Sequence, residues 1–194
     1  MSKLRLSAFA QIALISVALT VVTIGVLLAY VNRTPKIGGK IELIHRDQPW
    51  FLSDHPSPIT LFYVGYAKCP DVCPMTLSHA ASAYRRLSPD EGKKVQVVFL
   101  SVDFAHDTAN DVADYAAQFH PAFIGLTGTE ATIDETVNRF GVSYIFEKEP
   151  KSYLGYSISH TDRILILDKK GAVLDSIASP RSSDVIIAKL KEYL

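Results

Sequence analysis

The sequence predicts an α/β domain behind an N-terminal membrane helix, with a mainly parallel sheet that has an antiparallel edge. Three observations predict it. The first is an apolar stretch of 25 residues, Ser7 to Val31, with Gln11 as its one strongly polar member. The second is a pair of β-branched and aromatic runs, Ile59 to Tyr66 and Val95 to Val102, which read as buried strands. The third is the alternation of strand and helix signals along the rest of the chain, closing on a hairpin and a final helix.

In chain order, the apolar stretch comes first. At ~1.5 Å per residue, a helix over residues 7–31 exceeds the ~30 Å hydrocarbon core of a bilayer. Gly25 is tolerable in a membrane helix. The exit, Leu-Leu-Ala-Tyr-Val-Asn-Arg, lacks the small-x-small pattern of a cleavage site, so the segment reads as an uncleaved transmembrane anchor. Lys3 and Arg5 precede it, and Arg33, Lys36 and Lys40 follow it, a near balance under the positive-inside rule. The reading places residues 1–6 in the cytoplasm as a short tail and the domain outside, in the periplasm or an equivalent compartment. Residues 32–40, with Pro35, Gly38 and Gly39, read as a linker. Residues 41–194 then form one domain, large enough to bury a core without disulfide staples.

Within that domain, Lys40 to His45 reads as a strand, followed by a loop containing Trp50, Pro56 and Pro58. Ile59 to Tyr66 is the central strand and runs directly into Cys69. Pro74 opens a helix to about Leu87, since proline fits a first helical turn. After the strand Val95 to Val102, Thr108 to Phe119 is a helix ended by Pro121. Ala122 to Leu126 is a strand. Thr129 caps a helix through Phe140, with Gly141 closing it. Val142 to Phe146 is a short extended piece. Arg163 to Asp168 and Ala172 to Ile177 form a hairpin around Gly171, and Ser182 or Ser183 caps the last helix.

Charge excludes one broad class. The whole chain has 20 basic and 20 acidic residues; without Lys3 and Arg5, 18 basic residues remain against the same 20 acids, a net of −2. No basic excess points to nucleic acid.

The chemistry concentrates in Tyr66-Ala67-Lys68-Cys69-Pro70-Asp71-Val72-Cys73-Pro74, which holds the chain's 2 cysteines. A disulfide between them closes a tiny ring and adds little chain-entropy stabilisation, so the pair reads as chemistry rather than scaffolding. Pro74 keeps Cys73 at or near the helix N-cap, where the dipole favours its thiolate. Two soft thiolates suit Cu(I), and they also suit a redox disulfide. Two sulfurs under-coordinate most metals. The best third ligand is His160, in the loop Tyr156 to Asp162 just ahead of the hairpin. In a thioredoxin-like sheet this loop lies beside the cysteine loop, where a thioredoxin has a cis-proline. This chain has no proline between Lys151 and Ser179.

These residues together resemble the Sco/SenC family of copper-binding assembly factors. The resemblance rests on the N-terminal anchor, Val64-Gly65-Tyr66 leading into Cys69-Pro70-Asp71-Val72-Cys73-Pro74, then Ser101-Val102-Asp103, Tyr156 and His160-Thr161. It implies a thioredoxin-like fold and Cu(I) or Cu(II) held by Cys69, Cys73 and His160. It implies delivery to the CuA centre of cytochrome c oxidase, with the CuA-bearing subunit as partner and other copper chaperones or thiol reductants as further partners. It also implies an envelope or mitochondrial inner-membrane setting, with the domain facing the periplasm or intermembrane space. Asp71 and Asp103 are candidates to orient the site or meet a partner. Phe104 and His106 stand where the family commonly has proline and arginine; His106 reads as a surface variant and Met75 as a core residue. The leading function is a metallochaperone rather than an enzyme. The alternative is a thiol-disulfide oxidoreductase acting on oxidase-subunit cysteines, and a copper or redox sensor ranks last.

Overall fold

A computed structural model describes residues 8–33 and 37–194. The predicted cytoplasmic tail with Lys3 and Arg5, the first anchor residue Ser7, and linker residues Thr34 to Lys36 lie outside the described residues. The chain divides into two compact units, one up to Lys36 and one from Ile37 to the C-terminus. In the first, α1 (Ala8–Arg33) is a single helix of 26 residues. Its stretch Phe9–Leu28 is, among the described residues, the one long and apolar enough to cross a membrane.

The second unit is built on a five-stranded sheet. Its centre is β3 (Ile59–Gly65), buried at every position. A strand is buried throughout when both faces of its sheet are covered, which is why this run lacks polar alternation. β3 pairs in parallel with β4 (Val95–Ser101), and β4 pairs in parallel with β5 (Phe123–Leu126). On its other side β3 pairs antiparallel with β8 (Arg163–Asp168), which forms a hairpin with β9 (Val173–Ala178). The order β5-β4-β3-β8-β9 is a thioredoxin-like sheet.

Helices supply the crossovers. α2 (Val72–Arg85) follows β3, and the single-turn α3 (Pro89–Gly92) precedes β4. α4 (Ala109–Phe119) starts at a capping box in which Thr108 and Asp111 bond each other's backbone N–H groups. α5 (Glu130–Arg139) is capped by Thr129, and Gly141 just beyond it has φ +64°. α6 (Ser183–Leu190) is capped by Ser182 and packs on α2.

Two short strand pairs depart from the expectation. β1 (Glu42–His45) pairs with β2 (Gln48–Phe51), where a loop was expected. The turn is Arg46-Asp47, with φ of +47° and +61°. Both central residues are left-handed, as a two-residue hairpin demands, but neither is glycine, so the usual sequence signal is missing. Trp50 on β2 is 4% exposed and belongs to the core. The second pair is β6 (Tyr144–Lys148) with β7 (Tyr156–His160). His160 was expected on a loop; it is the last residue of β7, opposite Tyr144.

Candidate metal centre

The site forms at the carboxyl ends of β3 and β4, where open α/β sheets place their ligands. β3 ends at Gly65, opposite Ser101. Tyr66 to Lys68 turn the chain, with the Cys69 N–H donating to the Tyr66 carbonyl at 3.2 Å. α2 begins at Val72, two residues before the expected Pro74. Cys73 therefore lies inside the first turn rather than at the cap, and Asp71 takes the cap position without its side chain capping. Pro74 remains compatible, because first-turn amides have no intrahelical acceptor to lose.

Packing sets where the Cys73 sulfur can sit. The residue is fully buried, and a Cβ built on Gly65 would lie 2.6 Å from its Sγ. Gly65 is thus required by close approach: β3 must be bare where α2 brings the thiol over it. Cys69 is 9% exposed at the surface of the same loop, and both cysteines are unbridged.

His160 closes the group. Its Nε2 lies 3.2 Å from Cys73 Sγ. Tyr63 and Tyr66 meet the imidazole edge-on, with ring centroids 6.0 and 6.3 Å away, and so hold its plane. The donor atoms of Cys69, Cys73 and His160 all lie within 4.8 Å of one another. That is about twice a ~2.3 Å metal–thiolate bond, so one ion can reach all three after little adjustment.

The two sulfurs are electrostatically unlike. The Cys69 thiol is brought down to about 4, first by the hydrogen bond from Cys73 and then by His160 and the amides of Asp71 and Cys73, against the opposing effect of burial. Cys73 is pushed up, first by burial and then by the neighbouring Cys69 sulfur. Both effects favour the charge on Cys69 with the Cys73 thiol donating to it. Burial also pushes the Tyr66 phenol up to about 12, helped by the Cys69 charge.

An open cleft of about 420 Å³ is lined by Cys69 and His160 together with Tyr66, Asp71, Asp162 and Arg181, and the buried Cys73 lies behind them. Asp71 is exposed at its edge. Asp103 is absent from the three-residue group. It is fully buried, accepts from the Tyr156 hydroxyl at 2.5 Å, and has His106 Nδ1 at 2.7 Å. His106, expected as a plain surface variant, stacks on Tyr156 with centroids 4.6 Å apart. Met75 is half-buried, and its sulfur accepts from Arg181 at 3.8 Å. Sequence reasoning passed over Tyr63, Asp107, Asp162 and Arg181. Asp162 is approached by the Tyr63 hydroxyl at 3.3 Å and by Arg181 at 3.4 Å. Only folding brings Asp162 and Arg181 to the cleft, and Tyr63 and Asp107 behind it, and no local spacing announced them.

The sequence model of the SCO1/SenC family matches residues 32–194. The chain belongs to the SCO1/SenC family. Among its SCO1/SenC relatives, a SCO2-like protein of Rickettsia prowazekii is 34% identical over 139 residues, covering 70% of this chain and 66% of that protein. The mitochondrial protein SCO2 of Saccharomyces cerevisiae is 26% identical over 159 residues, covering 81% of this chain and 53% of that protein. This chain thus matches between about half and two thirds of the length of these relatives. The crystal structure of Arabidopsis thaliana ScoI with copper bound superposes with a TM-score of 0.73 at 29% identity, covering 80% of this chain and 97% of that one.

Proposed function

We propose that this chain is a membrane-anchored metallochaperone that binds one copper ion through Cys69, Cys73 and His160 and helps assemble the CuA centre of cytochrome c oxidase. The observation that carries the reading is the convergence of two sulfurs and an imidazole nitrogen within 4.8 Å, with Cys69 and His160 lining an open cleft. Soft thiolates suit Cu(I), and a nitrogen ligand helps accommodate Cu(II). The copper-bound relative from Arabidopsis and the family resemblance support the choice of metal. In this reading residues 7–31 are the anchor, 32–40 the linker and 41–194 the copper domain. The domain faces the periplasm or the mitochondrial intermembrane space; the yeast relative, a mitochondrial protein, supports the mitochondrial setting. The CuA-bearing oxidase subunit receives the ion, and other copper chaperones or thiol reductants serve the site.

A second reading has its own support. The Cys69 thiol is brought down to about 4, first by the bond from Cys73, and lies beside that unbridged partner, which also suits attack on a disulfide in an oxidase subunit. The described residues contain no cis peptide bond, so the cis-proline expected beside a thioredoxin redox pair is not there.

His160→Ala in the detergent-solubilised chain separates the readings. Cu(II) affinity falls more than Cu(I) affinity, and the thiolate-to-copper absorption changes, while disulfide exchange with a small thiol persists. Unaltered Cu(II) binding and spectrum in the variant would move the oxidoreductase reading ahead.

A further inference from the structure

The proposed chemistry leaves one buried carboxylate beside the cysteine loop unused. Asp107 lies in the segment between β4 and α4, and its side chain has no solvent exposure. Its Oδ2 accepts two hydrogen bonds, from the Ala67 N–H at 2.8 Å and from the Ser101 hydroxyl at 2.7 Å. Its Oδ1 lies 3.4 Å from Lys68 Nζ and accepts no hydrogen bond. Lys68 is itself held, since its ammonium donates to the His106 carbonyl at 2.5 Å. Ala67 and Lys68 are the two residues that lead into Cys69.

A carboxylate is taken out of water here at a cost that only well-made partners offset. Its partners are a loop amide, a hydroxyl at the end of β4 and a lysine from the cysteine loop. None of these bonds extends a helix or a strand ladder. Their combined effect is to pin the cysteine loop to the end of β4. The same segment also holds the histidine side of the site, because Asp103 accepts from Tyr156, which lies four residues before His160 on β7.

Building on the copper reading, we infer that Asp107 is a positioning residue: it sets where Cys69 sits relative to Cys73 and His160 by holding the Ala67 amide, without touching the metal. The bond to Ala67, rather than the charge, carries this role. An asparagine whose amide oxygen replaces Oδ2 keeps both accepted bonds, and the exposed part of Lys68 can turn to water. An alanine leaves the loop amide with no acceptor. Groups that orient metal ligands through such bonds typically matter about 10- to 100-fold in metal affinity.

The test uses the full chain in detergent with three substitutions: Asp107→Ala, Asp107→Asn and Lys68→Met. Copper affinity is read by competition with a chelator, the Cu(II) charge-transfer spectrum reports ligand geometry, and hydrogen exchange of the Ala67 amide is followed without metal. Asp107→Ala is expected to bind copper about 10- to 100-fold more weakly, with an altered spectrum and a fast-exchanging Ala67 amide. Asp107→Asn and Lys68→Met are expected to stay within about threefold of the unsubstituted chain, with its spectrum and its amide protection, on the same scale. Unchanged affinity and spectrum in Asp107→Ala overturn the inference. So does a loss in Asp107→Asn or Lys68→Met as large as that scale, which keeps the test decisive if Asp107→Ala does not fold. If the unsubstituted chain binds no copper, the copper reading fails by itself. The Ala67 exchange then still decides whether Asp107 holds the loop.

Discussion

Replacing Gly65 with alanine tests the packing that places the Cys73 sulfur. The added Cβ would lie 2.6 Å from Cys73 Sγ and 3.1 Å from a Phe99 ring carbon. Ordinary non-bonded contact needs roughly 3.5–4.0 Å, so the sulfur must retreat by about 1 Å. Retreat is difficult, because Cys73 is fully buried in the first turn of α2 and Phe99 is fully buried on β4. Overpacking of this kind costs about 1–3 kcal/mol. For a domain of this size, a loss of ~2 kcal/mol lowers Tm by roughly 4–8 °C. The same displacement disturbs the 3.2 Å approach of Sγ to His160 Nε2. Copper affinity should therefore fall by at least about tenfold, the lower end of what disturbed ligand orientation costs. Thermal unfolding of the reduced, metal-free chain and competition titration with a Cu(I) chelator measure the two effects. An alanine variant with wild-type Tm and wild-type affinity would refute the claim that β3 is bare to admit the sulfur.

Two further outcomes follow from the site's electrostatics and its supports. The Cys69 thiol is brought down to about 4, chiefly by the bond from Cys73, whereas burial pushes Cys73 up, so copper binding through both sulfurs near neutrality should release close to one proton from the pair. Affinity should then rise about tenfold per pH unit between 7 and 8; calorimetry in buffers of different ionisation enthalpy counts the protons, and a release near two would show that both thiols are ordinary. Tyr156→Phe removes the 2.5 Å hydroxyl bond to the buried Asp103 carboxylate and should destabilise the domain by about 1.5–3 kcal/mol, read by denaturant unfolding, with broadened His160 resonances. An unchanged midpoint would show that Asp103 does not hold β7 through this tyrosine.

The legible parts of this protein are those written within a few residues. Hydrophobic runs marked β3 and β4, and Thr108, Thr129 and the Ser182-Ser183 pair marked the starts of three helices, because a cap acts on amides only two or three positions ahead. The β1–β2 hairpin stayed hidden because Arg46-Asp47 takes left-handed geometry without glycine, so the tertiary context overrides the local preference. β7 stayed hidden because its burial is mixed and its partner β6 is mostly exposed, which leaves no clean alternation to read.

At the site, sequence by itself determined the donor chemistry: two cysteines separated by three residues, opening a helix, with a distant histidine as the best third ligand. Only the tertiary structure decided that Cys73 and His160, 87 residues apart, stand at 3.2 Å. It also decided which sulfur is favoured as the thiolate, since burial and the neighbouring Cys69 sulfur push Cys73 up while the bond from Cys73, His160 and the nearby amides bring Cys69 down. The supporting carboxylates Asp103 and Asp107 belong to the same class. A buried acid looks like a surface acid until the sheet brings Tyr156, Ser101 and the Ala67 amide to it. Spacing along the chain specifies which groups are available, whereas distances across it depend on strand register, helix packing and the exclusion of water, which exist only once the chain has folded.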